Sequence, residues 1–307
     1  MKKRYLVFVL VAFVLLAILV NYTLLNKNIT GNVVGEEIKV LKIGLIPADD
    51  AAEMLRSYEP VREYLSEELG IPVEIQVTSD YTAAIEAMKY KHIDMAWFGP
   101  FSYIIASNVA GAEAIVNGVR RSDGKSDYHS IIVTRADSGI NSLEDLKGKT
   151  FAFVDPASTS GNLMPRKILT ENGIDPEKDF INYYYAGTHN AAEYAVANGK
   201  VDAAADSDNS YDRMVSEGEI DPDVNKIIYE SESIPGSPIA IRGDLPKELK
   251  EKITQVLINM NEQTIHKVNG WGDISSYQKV SDSDYDIIRE IAKVLNMDTT
   301  SSKSASK

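Results

Sequence analysis

The sequence predicts an α/β fold shared between two domains. Short apolar runs rich in β-branched residues alternate with segments of helical periodicity along almost the whole chain, the pattern of strand–helix units with largely parallel sheets. The 307 residues are 44% hydrophobic and 25% charged, an ordinary globular composition that excludes disorder and collagen-like structure. At roughly 100–200 residues per domain, that length fills two sizeable cores.

The first element is a buried-strand run over 40–46, stopped by Pro47. Asp49 or Asp50 can then cap a helix in which Met54, Leu55, Tyr58, Val61, Leu65 and Leu69 recur at helical spacing, and Gly70 ends it. A strand over 73–77 follows. Asp80 can cap a helix over 81–90, a short strand covers 93–97, and Pro100 takes a first helical position ahead of 101–109. Strands over 131–134 and 151–154 flank a short helix at 142–146. Helices over 161–172, 189–198 and 207–217 alternate with strands over 181–185 and 201–205. Two longer amphipathic helices, over 247–268 and 281–295, complete the body. The Ser/Thr/Lys-rich tail 298–307 is expected to fray.

Charge and the N-terminus bound the setting. Net charge is −13; residues 1–37 carry +2, so the remainder carries −15. So acidic a body is a poor sequence-independent partner for nucleic acid. Lys2-Lys3-Arg4 precedes an apolar stretch over 5–25, interrupted only by Asn21, Tyr22 and Thr23. About 20 apolar residues cross a bilayer, and the basic cluster stays cytoplasmic, which puts the acidic body outside. The expectation is an uncleaved anchor over 1–25 and a polar tether over 26–37. Secretion after signal cleavage is the alternative, although no small-residue cleavage pattern follows Val20. The chain has no cysteine, which removes disulfides, thiolate metal sites and cysteine nucleophiles.

In α/β folds small ligands bind beyond the carboxyl ends of the strands, in the turns that open the following helices. Four such turns stand out: Ser79-Asp80-Tyr81, Trp97-Phe98-Gly99-Pro100, Asp155-Pro156-Ala157-Ser158-Thr159-Ser160-Gly161 and Gly187-Thr188-His189-Asn190. The third offers three consecutive hydroxyls at a helix N-terminus, where unpaired N–H groups and the positive dipole end favour an anion. Together these form a cradle for a tetrahedral oxyanion without a Lys or Arg. Taken alone, the same turn reads first as a helix cap, His189 as a structural or surface histidine, and Tyr81, Trp97 and Phe98 as core or rim aromatics.

The ordered set changes that balance. Asp94-Met-Ala-Trp-Phe-Gly-Pro-Phe-Ser-Tyr103, the Asp155–Gly161 turn, Ala186-Gly-Thr-His189, Gly199-Lys-Val-Asp-Ala203 and Ile234-Pro-Gly-Ser-Pro238 occur in succession. Over roughly 39–297 this strongly resembles the phosphate/phosphite/phosphonate substrate-binding proteins of ABC importers. The resemblance implies a two-lobed periplasmic-binding-protein fold, type II-like, with a hinge crossed twice. One lobe would take 38–127 and 234–297, the other 128–233. The implied protein is a monomer working with an ABC permease, with no cofactor and no catalytic residue, closing on a phosphonate, phosphite or phosphate. Tyr81 and Phe98 would lie on the first lobe's side of the cleft; Ser158, Thr159 and Ser160 would form the oxyanion cradle, with His189 as an added donor. Asn209 and Ser237 fall where amino-phosphonate binders place carboxylates. Being neutral, they argue against a ligand ammonium unless Asp206 or Asp208 replaces the charge.

Rival classes are weaker. A serine hydrolase would use Ser158 or Ser160 with His189 and Asp206 or Asp208, but no Gly-x-Ser-x-Gly elbow is present. A metallohydrolase would need a histidine cluster, and His92, His129, His189 and His266 are scattered. A small-anion sensor passing occupancy to another protein keeps the same fold.

Overall fold

The computed structural model describes residues 38–260, 262–265 and 274–301. The expected anchor and tether lie outside the described residues, as do His266 and the tail 302–307. Among the described residues no helix is long and apolar enough to cross a membrane.

The strands run in chain order as β1 (Leu41–Leu45), β2 (Val73–Val77), β3 (Met95–Trp97), β4 (Ala112–Arg120), β5 (Ser130–Arg135), β6 (Thr150–Phe153), β7 (Asn182–Tyr185), β8 (Ala203–Ser207), β9 (Asn225–Glu230), β10 (Pro238–Arg242) and β11 (Ile274–Lys279). They form two sheets, one ordered β11-β4-β10-β3-β1-β2 and the other β7-β6-β8-β5-β9. The chain passes from the first sheet to the second after β4 and returns after β9. The two passing segments meet in an antiparallel bridge, where the N–H groups of Tyr128 and Ile234 donate to each other's carbonyls at 3.0 and 2.7 Å.

Both sheets are mixed, which corrects the expectation of largely parallel pairing. Among the described strands, parallel pairs are confined to β1–β2, β1–β3, β6–β7 and β6–β8. Parallel pairing needs a long crossover, and helices Ala51–Leu69 and Met164–Glu171 supply crossovers of that kind. β10 arrives from the other sheet instead and runs antiparallel to both neighbours, with Ala240 opposite Ala96 and Ala114. The sequence reading passed over β4, β9, β10 and β11. It also extended the helix from residue 247 too far: that helix is Lys247–Ile258, followed by the short turn Glu262–Ile265 and then β11.

Local chemistry explains the elements that were foreseen. The Asp50 carboxylate, not that of Asp49, caps the first helix by accepting the Glu53 N–H at 3.0 Å. Gly70 ends it at φ 73°, a left-handed conformation that costs glycine nothing. The Asp80 carboxylate accepts the Ala83 N–H at 2.6 Å to open Tyr81–Lys89, and Pro100 starts Pro100–Ala110. In the second sheet the pleat sends Ile131, Val133, Ala152, Val154 and Ala204 into one buried cluster. Ile132, Phe151, Phe153, Ala203 and Ala205 enter another. Apolar character on both faces is what a covered sheet requires, and it fixes β6 and β8 so that their carboxyl ends present the turns described next.

Candidate functional site

The turn after β6 is held by hydrogen bonds within itself. The Val154 N–H donates to the Gly161 carbonyl at 2.9 Å, the Asp155 carboxylate accepts from the Ala157 N–H at 2.7 Å, and Ser158 Oγ accepts from the Gly161 N–H at 3.0 Å. The chain then makes a π-helical turn, Thr159–Leu163, before Met164–Glu171; such wide turns recur at functional sites. Gly161 is required here, since a Cβ would lie 2.3 Å from the Val154 Cβ. Ser158, Thr159 and Ser160 are all buried. Burial pushes the Asp155 carboxyl up to about 6, against the N–H groups of Ala157 and Tyr81 that favour its charged form.

This turn meets the first sheet directly. Thr159 Oγ1 accepts the Phe101 N–H at 2.8 Å, so a hydroxyl from one sheet caps a helix that belongs to the other. The His189 N–H donates to the Ala48 carbonyl at 2.9 Å. Asp49, freed from capping, is buried and accepts from Arg213 Nη2 at 2.8 Å. Burial raises its carboxyl, with the guanidinium opposing. Tyr81 is 1% exposed, and its hydroxyl faces Ser158 without completing a well-aligned hydrogen bond. The Ser237 hydroxyl stands in the same relation to Tyr128. Tyr128, a residue the sequence did not flag, lies with its hydroxyl against Thr159, Ser160 and Ser237.

His189 opens helix His189–Ala197 from the second sheet, and its Nδ1 contacts Asp206 Oδ1. Burial lowers the imidazole to about 4 and raises the Asp206 carboxyl to about 8, so the pair is net neutral near pH 7 wherever its shared proton resides. Behind it, Glu193 Oε1 and Asp206 Oδ2 are both buried and, among the described residues, lack a donor from any other group. Two facing carboxyls satisfy one another only if one keeps its proton, and burial raises Glu193 well above its ordinary range. Histidine, aspartate and glutamate therefore form a buried chain with little net charge.

The remaining predicted residues divide. Phe98 is fully buried, with its N–H on the Pro238 carbonyl at 3.0 Å. Asn209 and Ser237, together with Trp97 and Tyr128, line a cavity of ≈ 30 Å³. Asn209 Oδ1 accepts from Arg120 Nη1 at 3.2 Å. Neither aspartate considered as a replacement charge is uncommitted: Asp206 is held as above, and Asp208 accepts from His129, its Oδ2 2.9 Å from Nδ1. Sequence reasoning missed Tyr128, Arg120 and the Asp49–Arg213 pair. Each depends on a partner distant in sequence, and only the basic residue ending an apolar run at Arg120 offered a local signal.

Residues 43–285 match the family model described as "ABC transporter, phosphonate, periplasmic substrate-binding protein". The chain is 31% identical over 280 residues to the phosphate-import protein PhnD of Mycolicibacterium smegmatis, covering 83% of this chain and 86% of that one. It is 30% identical over 266 residues to the phosphonates-binding periplasmic protein of Escherichia coli, covering 84% and 77%. The crystal structure of a binding protein component of an ABC phosphonate transporter from Pseudomonas aeruginosa is similar with a TM-score of 0.78 at 27% identity, covering 84% and 87%. The chain therefore belongs to the periplasmic phosphonate substrate-binding proteins of ABC transporters, with their α/β periplasmic-binding-protein fold. That family serves transport rather than catalysis.

Proposed function

We propose that this chain captures a small phosphorus oxyanion between two lobes, 38–127 with 234–297 and 128–233, and delivers it to an ABC permease. The hinge lies at the Tyr128–Ile234 bridge. Ser158, Thr159 and Ser160 hold the oxygens, with Tyr81 and Phe98 on the opposite lobe, His189 as a neutral donor, and Asn209 and Ser237 toward the rest of the ligand. The observation that carries the reading is the pair of buried hydroxyls, Tyr81 and Ser237, that complete no hydrogen bond among the described residues. They stand where the hydroxyl turn of one sheet meets the helix N-terminus of the other, and an oxyanion supplies the acceptors that such donors lack. A net charge of −13 is no obstacle, because local N–H and O–H dipoles dominate at contact distance while remote charges are screened within about 8–10 Å. The protein acts as a monomer, held at the extracytoplasmic face of the cell membrane by residues 5–25.

Calorimetric titration of the full-length protein with phosphate, phosphite, methylphosphonate and 2-aminoethylphosphonate tests this. Saturable binding of at least one is expected, and indifference to all four would remove phosphorus from the reading. Retention of residue 1 in membrane-associated protein, read by intact mass, tests the anchor.

A further inference from the structure

Away from the hydroxyl turn, a buried cation fastens one side of the cleft to the other. Arg213 lies on helix Asp208–Ser216 and is 9% exposed. Its Nη1 donates to Glu217 Oε2 at 2.5 Å and its Nη2 to Asn190 Oδ1 at 3.0 Å, both on the lobe of the second sheet. Nη2 also donates to Asp49 Oδ1 at 2.8 Å, and Asp49 belongs to the other lobe, in the buried turn after β1. The preceding residue crosses the same gap, since the Ala48 carbonyl accepts the His189 N–H at 2.9 Å. Just beyond, Glu53 brings a carboxylate oxygen within 4.8 Å of those of Glu217 and Glu219. Carboxylates of both lobes therefore converge here, and they repel unless a cation stands among them. Arg213 is bonded to both sets.

Its partners differ in kind. Glu217 is four residues along the same chain segment and Asn190 is on the same lobe, so those bonds persist when the lobes part. The Asp49 bond is made only on closure. Opening returns Asp49 to water and closing buries it against the guanidinium, so the balance falls on the open–closed equilibrium rather than on the fold of either lobe. We infer that the Asp49–Arg213 ion pair is a closure latch: Arg213 is a positioning residue that holds the lobes shut and sets how long the cargo stays bound, without contact with it. This rests on the two-lobe, phosphorus-oxyanion reading above.

Asp49→Asn tests it. The change keeps the shape of the side chain and leaves Arg213 with Glu217 and Asn190. Electrostatics alone predicts tighter binding of an anion when a nearby carboxylate is neutralised, and the latch predicts the reverse. The measurement is stopped-flow displacement of phosphate or methylphosphonate from the full-length protein, followed by tryptophan fluorescence. Asp49→Asn is expected to release ligand about 10–100-fold faster than the wild type. Glu217→Gln removes a bond to the same guanidinium from within one lobe and is expected not to accelerate release. An unchanged or slower rate in Asp49→Asn overturns the latch. Equal acceleration by both variants overturns it too, because Arg213 would then act as a strut of its own lobe. Amide hydrogen exchange of the ligand-free protein gives a readout independent of cargo. The Phe101 and His189 N–H groups bond across the lobes and should exchange at least about 5-fold faster in Asp49→Asn, with β8 unchanged. Binding of neither anion by the wild type overturns the phosphorus reading, and the exchange rates then decide the latch alone: no difference at those two amides overturns it.

Discussion

Two turns face each other where the sheets meet, and they are made of different material. Residues 155–161 concentrate side-chain hydroxyls on a backbone packed so closely that Gly161 has no room for a methyl group. Residues 97–100 present no side-chain donor or acceptor beyond the Trp97 indole. Phe98 is buried, and Gly99 leaves open a space in which a Cβ would meet Thr159 Oγ1 at an ordinary 3.5 Å. One turn fixes where the donors stand; the other closes over them with a helix N-terminus, whose positive dipole end needs no charged side chain. On the proposed function, binding chemistry and closure fall to opposite sides of the cleft.

If that division holds, removing hydroxyls from the first turn has the largest effect. Ser158→Ala combined with Thr159→Ala should abolish detectable calorimetric binding, a loss of about 3–6 kcal/mol at about 1.5–3 kcal/mol per donor. Wild-type affinity in that variant would remove the turn from the site. Next comes an ion pair that links the two sheets. Arg213→Ala leaves Asp49 buried and unpaired, which costs about 3–5 kcal/mol. The thermal midpoint should fall and partly recover when Asp49→Asn is added; an unmoved midpoint would show that the sheets do not lean on this pair.

The two glycines sharpen the contrast directly. Gly161→Ala should destabilise by about 1–3 kcal/mol through overpacking against Val154, whereas Gly99→Ala should stay within about 0.5 kcal/mol in urea unfolding. Equal effects would mean that the turns are packed alike. The smallest effect concerns pH. Asp206, raised to about 8, and Glu193, also raised, keep protons in the folded state that the unfolded chain has released, so stability falls as pH rises toward 8. His189, lowered from 6.5 to about 4, works in the opposite direction, but only within that interval. Between pH 6.5 and 8 the net slope is therefore negative, amounting to about 1–2 kcal/mol. Asp206→Asn should flatten it, and a wild type with level stability over that range would show that the buried chain carries no extra proton.

Legibility in the sequence followed the range of the interactions. The hydroxyl turn was readable because Ser158, its cap bond to Gly161 and the helix that follows are neighbours in the chain. The same is true of the Asp50 and Asp80 caps. β10 escaped notice because it begins with Pro238, spans five residues and owes its place to partners on β3 and β4. β11 has the polar composition of an edge strand, with three of its six residues Ser or Gln. Arg120 and Asn209 stand 89 positions apart, on elements of different sheets, and meet only where the two sheets come together. Periodicity shows what each segment prefers, but not which segment will lie beside it.

The position of β10 also dictates an order of assembly. It lies between β3 and β4, so until residues 238–242 arrive β4 has no described partner strand and β3 is paired on one edge alone. A chain emerging N-terminus first therefore carries an unfinished sheet while every strand from β5 to β9, contiguous in sequence, is already available to complete the other. The second sheet can fold as a local unit; the first must wait for a long-range closure, which is the slower event. Among the described strands, the last two in the chain are the ones that turn a half-built scaffold into a cleft.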